Sequence, residues 1–306
     1  ALVVFSGYES GVQLGPLAAP VGAWVAIWGA LVFPVAFFFD RWWQSHYGLA
    51  AGIWHPPQIL KAIAFFSIVI GAWLLSAKLQ NQNVQASAAA FAVSGGVVLA
   101  MISVVTLTSI YPNRQHLGTF YQVACATYPA VLVAIAHAGR LRWSATLASI
   151  VYMVVICSMV WILPLFPARP EVAPVYNALD HMLPPPFPLL LILPAAAIDA
   201  VLRQVSWAHG WQRALALGLG FFIIFAAVQW IFAEFLLTSL ADNQFFSGGG
   251  RHWPFFLKIH PSARVQFWNT PQTELNLCSA VVSIGSAMVA SRCGLWLGDW
   301  MKRIQR

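Results

Sequence analysis

Charge is what this sequence lacks most. Lys and Arg number 16, Asp and Glu 9, and all four together make up 8% of the 306 residues, where soluble domains carry about 25%. So few charges exclude a soluble globular protein and a disordered chain. The excess of base, +7, is not gathered into a basic patch, which argues against a nucleic-acid partner. Cysteine is scarce too. Cys125, Cys157, Cys278 and Cys293 all fall in apolar stretches, where thiols behave as small hydrophobes. No C-x-x-C or C-x-x-C-H occurs, so a disulfide scaffold and c-type haem attachment are both excluded. Gly248-Gly249-Gly250 lacks the Lys-Ser/Thr of a phosphate cradle, so no nucleotide cofactor is expected.

What fills the chain is apolar. Hydrophobic residues reach 60%, with 15 Trp and 21 Phe, and mean hydropathy is +0.73. About eight stretches are long enough to cross a bilayer: 20–39, 57–77, 87–110, 119–138, 143–165, 186–203, 213–239 and 275–299. The sixth is short and opens on a proline run. Unpaired backbone is not tolerated in lipid, so the spans must be helices, and continuous apolar runs exclude an outer-membrane barrel. The expected fold is an all-α, polytopic transmembrane bundle. Residues 1–306 read as one integral membrane domain, with 240–274 as its longer extramembrane loop.

Basic residues set orientation. With the N-terminus inside, Lys78, Arg140, Arg142, Arg203, Arg213, Lys302, Arg303 and Arg306 lie on the inner side, and Arg41, Arg114 and Arg169 on the outer. The expectation is a multi-pass protein of the bacterial inner membrane, N-in and C-in. That topology gathers most histidines and several acids on the outer side.

The segment from Phe39, FDRWWQSHYGLAAGIWHPPQIL, joins the first two spans. Asp40 sits at an apolar margin and needs a partner, with Arg41, His46 and His55 the nearest candidates. A carboxylate with imidazoles suits copper, zinc or iron; an interfacial turn with aromatic anchors and an Asp–Arg or Asp–His pair needs no metal. Lys61, one turn into the second span, is expected to snorkel outward. A second segment runs from Asn177 through Asp180 and His181 to Pro184-Pro185-Pro186. Spacing of four places Asp40 with Gln44, and Asn177 with His181, on one helical face. Asp199 and Arg203 read as a local ion pair. Glu234, with Gln229 and Trp230, either faces the outer cluster or bonds a neighbouring helix. The aromatic, basic 240–274 loop lies on the bilayer surface, packs on a partner subunit, or covers the outer cluster.

These motifs resemble the C subunit of the copper membrane monooxygenases, which oxidise methane or ammonia. That family carries Asp-x3-His with Trp before the His, then Pro-x-His at the start of the next helix. Asp40, Trp43 and Pro56-Pro57 match this frame with one extra loop residue, and Asn177 with His181 matches the later Asn-x3-His. Trp42, Trp43, Trp54, Pro56 and Pro57 are also similar to a group of uncharacterised bacterial membrane proteins with D-x-W-W-H … W-x-P-P-H. The resemblance implies copper, with Asp40, Asn177 and His181 at family positions and His46 and His55 as the substitutes nearest to the two lost histidines. Gln44, Gln58, Asp180 and Glu234 would complete the polar cluster. The departures are Gln44 and Gln58 where the family has histidines, and Ala195 where a third ligand would fall. Three functions follow: a subunit of a membrane complex with a vestigial or altered metal site, a copper- or zinc-dependent oxidoreductase subunit, and a small-molecule transporter.

Overall fold

The computed structural model describes residues 12–14, 17–48, 55–106, 110–168, 181–182, 184–204, 210–241, 243–248 and 275–304. The protein is an all-α bundle of apolar helices, as an integral membrane protein requires. A short antiparallel hairpin, β1 (Val12–Leu14) and β2 (Leu17–Ala19), precedes it. Among the described residues eight longer helices follow: α1 (Val21–Tyr47), α2 (Pro56–Asn81), α3 (Ser87–Val105), α4 (Gly118–Ala138), α5 (Ser144–Ile162), α6 (Ile192–Gln204), α7 (Gly210–Leu236) and α8 (Leu277–Lys302). Seven of these described helices are long and apolar enough to cross a membrane. The exception is α6.

Local chemistry places the ends. Pro56 and Pro57 open α2 behind an extended His55, where a missing N–H costs nothing. Asn276 and Ser279 form a capping box on α8, satisfying donors that no earlier turn can pair. α1 and α2 pack backbone to backbone. A Cβ added at Gly22 would lie 2.6 Å from the Gly71 carbonyl oxygen, and one at Gly71 would lie 2.5 Å from that of Gly22. Small residues permit this approach, and close contact rather than water exclusion drives helix association in lipid. Outward, α1 exposes Trp28, Leu31, Val35 and Phe38, as a lipid-facing helix does. The core is α4, which buries Tyr121, Tyr128, Leu132 and Ile135 and packs along α8. Cys125 and Cys157 are buried, whereas Cys278 and Cys293 are exposed.

The sixth crossing departs from the expected helix over 186–203. Residues 184–191 are not helical, and α6 begins only at Ile192. The reason is Pro184, Pro185, Pro186 and Pro188, which donate no N–H and push each preceding residue out of the helical region. The 13 residues of α6 span about 20 Å, short of the roughly 30 Å hydrocarbon core. Its two ends nonetheless reach the two ends of α5. A Cβ at Gly248 would touch both Pro184 and the Val160 carbonyl, while Arg203 donates to the Arg142 carbonyl at 3.0 Å. Residues 184–204 therefore run the length of α5, first as non-helical chain and then as helix.

The described start of the 240–274 loop is a single helical turn, Gln244–Ser247, capped by the Asn243 side chain. Phe246 packs on Phe187, Phe232 and Phe235, and Trp161 donates to the Phe245 carbonyl at 2.9 Å. This turn lies over the proline-rich end of the sixth crossing. The rest of the loop, 249–274, lies outside the described residues.

Candidate functional site

α1 runs two turns beyond the expected end of the first span, so Asp40 stands within a helix rather than at its exit. It is buried. Its Oδ2 accepts a hydrogen bond from Lys61 Nζ at 2.6 Å and another from Gln44 Nε2 at 3.0 Å. Its Oδ1 lies 3.5 Å from His55 Nε2. The spacing of four does bring Gln44 onto Asp40, and His55 arrives from the turn that opens α2. The partner missing from the sequence reading is Lys61. It turns in toward Asp40 instead of snorkelling outward, because the ammonium gains a buried carboxylate there.

Among the described residues, no hydrogen bond or ion pair joins the other expected site residues to Asp40. His46 is six residues further along α1, on another face. Its Nδ1 lies 2.9 Å from the Trp42 carbonyl and its ring packs on Trp42. Gln58 is half-buried and makes no side-chain hydrogen bond among the described residues. His181 pairs with Pro167 beyond α5, where Met182 N–H donates to the Phe166 carbonyl. Glu234 is exposed and accepts from Trp230 Nε1 on its own helix at 3.2 Å. Asn177, Asp180 and Trp54 lie outside the described residues. Among the described residues no group of three His, Cys, Asp or Glu is placed to hold a metal ion.

Asp199 also differs from expectation. It accepts from Thr146 N–H at 2.9 Å and from Thr146 Oγ1 at 2.8 Å, capping α5 from a neighbouring helix. Arg203 instead stacks over Trp143 at 3.9 Å. Free donors at a helix start outcompete a residue on the same helix, because they have no other partner.

A second polar system is neutral and lies inside the bundle. Gln229, fully buried on α7, accepts from Leu190 N–H at 2.9 Å and donates to Gln115 Oε1 at 2.7 Å. Gln115 Nε2 donates to the Ile110 carbonyl at 2.8 Å. Tyr152 on α5 accepts from Leu189 N–H at 3.0 Å. These side chains accept the Leu189 and Leu190 N–H groups, while Leu191 N–H finds the Leu189 carbonyl at 2.8 Å, which is how non-helical backbone survives at membrane depth. A cavity of about 30 Å³, room for one water, lies between Ser103, Tyr152, Pro185, Pro186 and Pro188. The sequence signal was the proline run itself: backbone that cannot be helical needs polar side chains from elsewhere.

No protein-family model, curated protein or solved structure matches the chain.

Proposed function

We propose that this integral membrane protein is a non-catalytic subunit of a larger bacterial membrane assembly, in which an ammonium takes the place of a metal. The observation that carries this reading is Lys61 Nζ, 2.6 Å from Asp40. In the frame that resembles the copper monooxygenase C subunit, Asp40 is the carboxylate ligand. Here its charge is already balanced, and its neighbours are one imidazole and one amide. This donor set does not suit copper, which favours imidazole nitrogens over an amide oxygen. The centre instead ties α1 to α2 and holds the aromatic face of α1 in a fixed orientation for lipid or a partner helix. The protein sits in the inner membrane with both termini on the cytoplasmic side. Metal analysis of the purified protein tests this: the expected content is substoichiometric. Stoichiometric copper or zinc that disappears in Asp40→Ala would overturn it. Purification in mild detergent as a lone monomer would remove the assembly.

A second reading, a solute pathway, draws on the interrupted sixth crossing, since broken helices line many transporter sites. Its test is a Ser103→Cys variant in a background with Cys278→Ser and Cys293→Ser. Labelling by a membrane-impermeant thiol reagent would favour the pathway. Absence of labelling from both sides would close it.

A further inference from the structure

The end of the bundle remote from Asp40 gathers a different set of charges from three helices. His137 closes α4, Arg213 lies in the first turn of α7, and Asp299 and Lys302 close α8. The helix register accounts for the meeting. A Cβ at Gly118 would touch Ser279, and one at Gly298 would touch His137, so α4 and α8 run parallel and end together. α7 runs the other way, and a Cβ at Gly218 would meet the backbone of Met288. Arg213 is therefore level with the third turn from the end of α8. α8 continues past it by about 14 Å, and the two side chains come from helices that run in opposite directions.

The charges at this end of the bundle do not cancel. His137 Nε2 lies 2.7 Å from Asp299 Oδ1, and Lys302 Nζ lies 3.1 Å from the same nitrogen. Among the described residues no carboxylate comes within ion-pair distance of Lys302 or Arg213. The Asp299 charge acts on both His137 and Lys302, and the Arg213 charge opposes it more weakly at each. Its Nη2 donates to the Leu202 carbonyl at 3.2 Å, but its Nε is buried and makes no hydrogen bond among the described residues. With Arg303 next in the chain, the cations outnumber the acid. Trp211 in the first turn of α7, and Trp296 and Trp300 in the last turns of α8, are exposed, and exposed tryptophans mark headgroup depth.

We propose that Arg213 and Lys302 hold the phosphate of an anionic glycerophospholipid at this end of the bundle. A guanidinium offers paired donors and an ammonium a point charge, the two common ways of holding phosphate. Basic pockets between transmembrane helices take anionic headgroups in this manner. The exposed tryptophans favour a lipid over a soluble anion.

The test uses the full chain, purified in detergent and stripped of lipid. Phosphatidylglycerol, phosphatidylcholine and inorganic phosphate are added separately. Retained lipid is read by native mass spectrometry, and stability by the thermal midpoint. Phosphatidylglycerol is expected to be retained and to raise the midpoint, with phosphatidylcholine doing neither. Arg213→Gln and Lys302→Gln should each weaken retention roughly tenfold. Arg142→Gln, which removes one charge elsewhere on the same face, should change it less than about twofold. Equal retention of phosphatidylcholine, or equal weakening by Arg142→Gln, would overturn the proposal, leaving only diffuse surface charge. Protection by inorganic phosphate equal to that by phosphatidylglycerol would keep the phosphate chemistry and overturn the lipid as its source. Should Arg213→Gln fail to fold, Lys302→Gln alone decides.

Discussion

The α1–α2 hairpin and the interrupted sixth crossing solve the same problem by different means. Each must keep polar groups at membrane depth. In the hairpin the groups are charged and peripheral: Asp40 and Lys61 form an ion pair whose side chains retain 11% and 22% exposure. In the sixth crossing they are neutral and central: Gln115, Tyr152 and Gln229 are all 0% exposed. A paired charge tolerates a membrane margin, where water still reaches its outer side. A backbone N–H in the dry interior needs a neutral acceptor, since an ionised one would bring its own desolvation cost. The two regions should therefore respond differently to losing one partner.

The largest effect is expected at the centre. Gln229→Leu strands the Leu190 N–H and the Gln115 amide together, and should cost about 3 kcal/mol, read as a fall in the thermal midpoint in detergent. A loss below about 1 kcal/mol would mean that water enters the seam and replaces the amide. Next comes Lys61→Met, which leaves the Asp40 carboxylate with an amide and an imidazole. We expect about 2 kcal/mol, below the full cost of breaking a buried pair, because both side chains keep some water. Adding Asp40→Asn should restore part of the loss, and the double-mutant cycle should return a coupling of about 1 kcal/mol. Additive effects would separate the two residues and dissolve the hairpin centre. Tyr152→Phe removes a single acceptor from Leu189 and should cost about 1 kcal/mol. Smallest is His46→Ala, expected within about 0.5 kcal/mol, since that ring bonds its own helix. A larger change would place His46 in the Asp40 centre after all.

Much of the fold was legible in advance, because length and hydropathy act locally. The apolar runs mark α1 through α5, α7 and α8 to within a few residues, although α1 continues past its apolar run to Tyr47. At the sixth crossing the proline run was visible, but its consequence was misjudged. Apolar composition alone does not say that prolines keep 184–191 out of the helix while the segment still runs the length of α5. The candidate site was legible in part. Asp40 with Gln44 follows from helical spacing, and His55 from its place beside Pro56. Lys61 was assigned to the membrane surface because snorkelling is a rule for single helices, and the pair belongs to two. The same holds for Asp199: spacing of four points to Arg203, but the free N–H groups that it caps belong to a neighbouring helix.

The sequence by itself determined that this is an all-α membrane protein, where its helices fall, and that few charges are available for any chemistry. Those are properties of composition and of period, and they need no partner. Only the tertiary structure decided which charge meets which. It set Lys61 on Asp40, Gln229 against Leu190, and Arg213 near Lys302, residues from 21 to 89 positions apart. Such pairs depend on where helices pass one another, which is fixed by glycine contacts such as Gly22 with Gly71 and Gly218 with Met288. Steric fit between small residues sets the register, and the register chooses the polar partners.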